Sequence, residues 1–239
     1  MNLKRLFFVF TLSTLTINSF AADAKFVPYG KADKFESEIA HFETRDQKNP
    51  PAPNGIVVVG SSSIGMWHSN IKQDLAPLTI IPRGFGGSNM NDLLHYAERV
   101  IVPYQPRAVV IYEGDNDIAQ RVAPQRVADT FAKLVNTIHQ QLPDCRIYVL
   151  SIKPSPKRTS HWPNMQRVNQ LLEAQSREDP NITYVDVATA MFDELGKPNS
   201  ALYRKDRVHM SREGYLIWTQ VLKPILIEKE LEYEPSYQS

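Results

Sequence analysis

Ile56-Val57-Val58-Val59-Gly60-Ser61-Ser62-Ser63 is a short apolar run that stops at a glycine and three serines. Four β-branched residues in succession read as a strand buried on both faces, and Gly and Ser mark its end. The pattern recurs. Residues 78–81 lead into Arg83-Gly84-Phe85-Gly86-Gly87, and residues 108–112 lead into Glu113-Gly114-Asp115-Asn116-Asp117. Residues 146–152 and 182–185 supply two further strand candidates. Helix-like segments lie between them. Residues 89–102 place Leu93, Leu94, Ala97, Val100 and Ile101 on one face, and residues 124–142 do the same with Val127, Phe131, Leu134, Val135 and Ile138. A helix over 34–47 precedes the first strand, and one from Ser211 to about Leu231 follows the last. Strands alternating with helices predict an α/β fold in which a parallel sheet is covered on both faces.

A chain of 239 residues, 42% of them hydrophobic, is long enough for one substantial core, so residues 22–239 are expected to form a single domain. Twenty-seven Lys and Arg against 26 Asp and Glu leave a net charge of +1, which gives no reason to expect nucleic acid or an anionic membrane as partner. Residues 1–21 read as a secretory signal: Lys4 and Arg5, an apolar stretch over 6–17, then Ser19-Phe20-Ala21 with small residues at the cleavage positions. That stretch is short and polar for a membrane span, and no Cys follows it to carry a lipid. The mature protein is expected to begin near Ala22, to be secreted or periplasmic, and to fray over 235–239. Cys145 is the single cysteine, which excludes an intramolecular disulfide and reads as a buried structural thiol.

In open parallel sheets ligands bind outside the carboxyl ends of the strands. The first three polar blocks fall at such ends, and Asp206-Arg207-Val208-His209 follows the last strand by a long loop. Together they offer the parts of nucleophilic acyl transfer. Ser62 is the candidate nucleophile, His209 the base that takes its proton, and Asp206 the group that fixes the imidazole. The N–H groups of Ser62 and Gly87 and the side-chain amide of Asn116 are candidate oxyanion donors.

These blocks, in this order, resemble the SGNH, or GDSL-type, hydrolase superfamily. Gly114-Asp115-Asn116-Asp117 fits its G-x-N-D block, Asp206 to His209 its D-x-x-H block, and Gly87 its donor glycine. The first block departs: the family usually reads G-D-S, whereas this chain has Gly60-Ser61-Ser62. Ungapped alignment on Gly60, with Trp67 as a further anchor, makes Ser62 the nucleophile; a slide by one residue makes it Ser63. The resemblance implies a three-layer α/β/α sandwich, flavodoxin-like, about a central, mostly five-stranded parallel sheet. It also implies acyl transfer to water through an acyl-enzyme, with no metal and no cofactor.

Two other chemistries lack their motifs. Neither serine cluster reads G-x-S-x-G, and the six histidines show no H-E-x-x-H spacing. Trp67, one helical turn after the serines, is by default a core residue and secondarily a wall of the acyl pocket. Trp162, in an expected loop after the fourth strand, is a candidate substrate-stacking residue. Arg83, Lys157, Arg158, Lys205 and Arg207 fall near the same edge, as solvated loop charges or as attractors of an anionic substrate. The function expected is an exported serine esterase for small acyl esters, O-acetyl groups on carbohydrate among them, with no stable membrane insertion. The alternatives are a lysophospholipase or thioesterase with a longer acyl pocket, and an idle binding protein for acylated glycans.

Overall fold

A computed structural model of the chain describes residues 26–234. The expected signal segment and the tail over 235–239 lie outside them. Five parallel strands form one sheet: β1 (Ile56–Gly60), β2 (Ile80–Gly84), β3 (Ala108–Tyr112), β4 (Arg146–Leu150) and β5 (Ile182–Val185). Their spatial order is β2-β1-β3-β4-β5. The order reverses between β1 and β3, where Gly60 lies beside Tyr112. This is the topological switch point at which the loops of such a sheet diverge and leave a crevice.

Side chains alternate between two cores. Val57, Val59, Val109, Ile111, Ile147 and Val149 pack under α1 (Glu36–Lys48), α4 (Met90–Val100), α6 (Pro124–Gln141) and α7 (Trp162–Glu178). Ile56, Val58, Val110, Tyr112, Tyr148 and Leu150 pack under α2 (Ser62–Trp67), α3 (Ile71–Asp74) and α8 (Arg212–Glu230). The sandwich therefore has three layers, as expected. Helix starts follow their caps. Asn89 and Asp92 form a capping box at α4, worth ~1 kcal/mol, and Pro124 occupies the first turn of α6.

The second strand lies later than the apolar run suggests, from Ile80 through Pro82 to Gly84 rather than over 78–81. Pro82 is tolerated because β2 is an edge strand. Ile56 N–H donates to Thr79 O and Phe85 N–H to Gly60 O, so odd-numbered residues bond β1 and Pro82 faces the open side. There the Gly84 N–H donates to His68 Nε2 at 2.9 Å. Burial, with Arg45 and Arg83 nearby, drives the His68 pKa down to about 4, so its ring stays a neutral acceptor. Cys145 is buried and its thiol is pushed up to about 12 by burial, in keeping with a structural role.

Candidate active site

β1 delivers the serine. Gly60 has φ +137°, and a Cβ there would lie 2.0 Å from Tyr112 O, so no other residue lets β1 turn this sharply beside β3. Ser61 is the extended N-cap residue of α2, and Ser62 is its first helical residue. The Ser62 hydroxyl, half-buried, lies 3.0 Å from His209 Nε2. Ser63 is buried, 2% exposed, and its backbone carbonyl accepts the Tyr215 hydroxyl of α8 at 2.8 Å.

The long loop after β5 delivers the other two groups. Asp206 Oδ1 accepts the N–H groups of Val208 and His209, each at 2.9 Å, and its Oδ2 lies 2.8 Å from His209 Nδ1. One carboxylate thus shapes its own turn and orients the ring. The His209 N–H foremost, then the Val208 N–H and the ring, hold the Asp206 carboxyl well below the usual carboxylate range. With Nδ1–H facing Asp206, Nε2 is left to accept the serine proton.

Besides Ser62, the oxyanion candidates come from the loop after β2 and from the short helix Asp115–Ala119 after β3. Gly86 packs against the serine: a Cβ there would lie 4.0 Å from Ser62 Cβ. Gly87 has φ +87°, and a Cβ would meet nothing within 4 Å. Glycine is required at 87 by the left-handed backbone, not by close approach of the surrounding protein. Asn116 donates one Nδ2 hydrogen to Ser88 O at 2.9 Å, while its Oδ1 lies 3.2 Å from Arg158 Nη1. The second Nδ2 hydrogen is left for a ligand.

Beneath Asn116 lies an ion cluster that sequence reasoning did not identify. Lys153, 1% exposed, bonds Asp115 Oδ2 at 2.7 Å, and Arg158 bonds Asp115 Oδ1 at 2.5 Å. Burial alone would raise the Asp115 carboxyl, but the two cations outweigh it and hold it below the usual range. The available signal was the acidic Gly114-Asp115-Asn116-Asp117 block facing Lys153 and Arg158 after β4. Arg158 is therefore an internal partner of the Asp115–Asn116 turn of the helix, not a free loop charge. Arg83 is likewise internal, 1% exposed, bonding Asp46 and facing Tyr104 at 4.3 Å.

Trp67 does not stand where the pocket reading put it, and Trp162 stands on a helix rather than in the expected loop. Trp67 has no exposed surface; it stacks on Tyr215, meets Trp218 edge-on, and donates Nε1–H to Asp74 Oδ2 at 2.6 Å. An indole fully enclosed by α8 and α3 is a core residue and cannot line an acyl pocket. Trp162 is not in a loop but opens α7, with Pro163 in the first turn, and its ring meets Phe192 at 5.3 Å beside β5. Pro163 fits this position, because in the first helical turn its missing N–H costs nothing. Among the described residues no group of three or more His, Cys, Asp or Glu could hold a metal ion, and no helix is long and apolar enough to cross a membrane.

A parallel α/β sandwich with serine, histidine and aspartate in contact at its switch point is the architecture of an ester hydrolase. The chain belongs to the GDSL-like lipase/acylhydrolase family, whose model matches residues 58–217. Among solved structures it is similar to a GDSL-like lipase from Bacteroides thetaiotaomicron, with 20% identity, TM-score 0.68, and coverage of 80% of this chain and 98% of that one. A lipase/acylhydrolase from Enterococcus faecalis has 15% identity, TM-score 0.62, and coverage of 73% and 96%. A catalytic mutant of an acetylxylan esterase from Geobacillus stearothermophilus has 16% identity, TM-score 0.58, and coverage of 74% and 94%. At these identities the likeness is one of fold. No curated protein matches the chain.

Proposed function

We propose that this ester hydrolase is an exported serine esterase of small acyl esters, with O-acetyl groups on carbohydrate as the substrate class it fits best. The observation that carries the reading is the relay from Ser62 Oγ to His209 Nε2, 3.0 Å, and from His209 Nδ1 to Asp206 Oδ2, 2.8 Å. In this mechanism His209 takes the Ser62 proton as Oγ attacks the ester carbonyl. The N–H groups of Ser62 and Gly87 and the free hydrogen of Asn116 Nδ2 receive the developing oxyanion. The protonated ring then gives its proton to the leaving alkoxide, and the resulting acyl-enzyme is hydrolysed by a water that His209 activates in turn. Asp206 stays ionised throughout and stabilises the imidazolium.

Two features support a short acyl group on a bulky alcohol. Gly86 and Gly87 are exposed and Ser62 is half-buried, so the nucleophile stands at an open rim that a sugar chain can approach. The acetylxylan esterase among the structural neighbours acts on such an ester. Export rests on the sequence of residues 1–21. The test is p-nitrophenyl ester hydrolysis across acyl lengths, alongside acetate release from acetylated xylan and labelling by a fluorophosphonate with peptide mapping. Label on Ser62 and a rate falling from acetyl to octanoyl are expected. Label on Ser63, or a preference for long chains, would overturn the corresponding part; no label and no turnover would return the binding-protein reading.

A further inference from the structure

Glu113 sits immediately before the Asn116 block, is 1% exposed, and takes no part in the proposed reaction. Its Oε1 lies 2.5 Å from Ser88 Oγ, and the same hydroxyl lies 3.0 Å from Phe85 O. A serine hydroxyl has one hydrogen, and a carbonyl oxygen can only accept. Both contacts are full two-centre hydrogen bonds only if Ser88 donates to Phe85 O and accepts a hydrogen bond from Glu113.

The surroundings point the same way. Glu113 Oε2 is buried with no hydrogen-bond partner. An ionised carboxylate would leave charge there with nothing to solvate it, whereas the carbonyl oxygen of a neutral acid costs far less. The groups acting on this site are the carboxyls of Asp92 on α4 and of Asp115 and Asp117 on α5 (Asp115–Ala119), with the Tyr29 phenol from the N-terminal segment. Nearby cations are already engaged, Lys34 by Asp92 and Lys153 by Asp115. Burial first, then the charge of Asp117, drives the Glu113 carboxyl well above its usual range.

We propose that Glu113 is a positioning residue, kept as the neutral acid, which donates to Ser88 Oγ and so fixes the turn that presents the Gly87 N–H. The Glu113–Ser88–Phe85 chain closes the turn around Gly86 and Gly87, and Ser88 O in turn receives Asn116 Nδ2 at 2.9 Å. One buried proton therefore holds two oxyanion donors in register. The consequence for catalysis rests on the esterase reading, but the proton does not.

The first experiment is accordingly independent of activity: an infrared difference spectrum between the wild type and Glu113→Gln at pH 7. A protonated carboxylic-acid carbonyl band in the wild type is expected, and its absence overturns the proposal. The second is kcat and KM on p-nitrophenyl acetate for Glu113→Ala, Ser88→Ala and Glu113→Gln. The alanine variants are expected to lose roughly tenfold in kcat, the worth of one such hydrogen bond, with KM little changed. Glu113→Gln, whose amide donates where the acid did, should recover at least half of that loss. If Glu113→Ala fails to fold, Ser88→Ala carries the test, and an unchanged kcat there overturns the proposal. A band in a wild type that turns over no ester would support the proton and count against the esterase reading instead.

Discussion

Replacing Arg158 with alanine tests whether the Asn116 amide, the proposed oxyanion donor, is held by the ion cluster beneath it. Arg158 Nη1 lies 3.2 Å from Asn116 Oδ1, 3.2 Å from Asp115 O and 2.5 Å from Asp115 Oδ1. Without it the Asn116 carboxamide keeps one anchor, Ser88 O, and can turn its oxygen toward the substrate. A hydrogen bond from a charged donor is worth ~1.5–3 kcal/mol. The Arg158 side chain is 21% exposed and its Asn116 contact is long, which places the effect at the low end of that range. The expected loss is about tenfold in kcat, since 1.4 kcal/mol is about a factor of ten. Its ceiling is the loss on Asn116→Ala, ~10²–10³ for one oxyanion donor. KM should move little, because the donor acts on charge that develops only in the transition state. Asp115 keeps Lys153, so the melting temperature should shift by only a few degrees. The assay is steady-state hydrolysis of p-nitrophenyl acetate by both single variants and the double variant. If Arg158 acts through Asn116, its removal from the Asn116→Ala protein should cost less than about twofold. An equal tenfold loss in that background, or less than about twofold in the wild type, would refute the reasoning.

Four other substitutions probe the remaining claims. Ser62→Ala should abolish turnover without changing the melting temperature, while Ser63→Ala should remain active; the reverse pattern would move the nucleophile by one residue. Asp117 is fully buried, and burial raises its carboxyl to about 6, against the bonds from Tyr29 and the Met90 N–H that lower it. The folded chain therefore holds this proton more tightly than the unfolded one. The associated stability is present below the ordinary carboxylate pKa and is lost as pH rises through about 6. Melting curves of Asp117→Asn minus wild type should expose that slope between about pH 4 and 6, and a flat difference would contradict it. Gly60→Ala should lower soluble yield sharply, because its methyl group would meet Tyr112 O at 2.0 Å with φ at +137°; a normally stable Gly60→Ala protein would undo the account of the β1 turn.

Much of the architecture was legible because its signals are local. The Val-rich run at Ile56–Gly60 can be satisfied only as a strand covered on both faces, and the same holds for Ala108–Tyr112. The helix after Asn89 is announced by its own capping residues. Where reading failed, a local signal had a tertiary exception. Pro82 looks like a strand breaker, but it stands on an open edge where no N–H is needed. Trp162-Pro163 looks like loop, but proline suits the first turn of a helix. Trp67 follows its default reading instead, a core residue enclosed by α8.

By itself the sequence determined the order of strands and helices and placed three polar blocks at strand ends and a fourth after the last strand, because turn residues and apolar periodicity act over a few neighbours. Which hydroxyl of the three serines meets an imidazole 147 residues away was decided only by the tertiary structure. So were the charge state of Glu113 and the partner that orients Asn116. Each depends on which groups share a buried space, and burial sets both the cost of a charge and the value of a hydrogen bond.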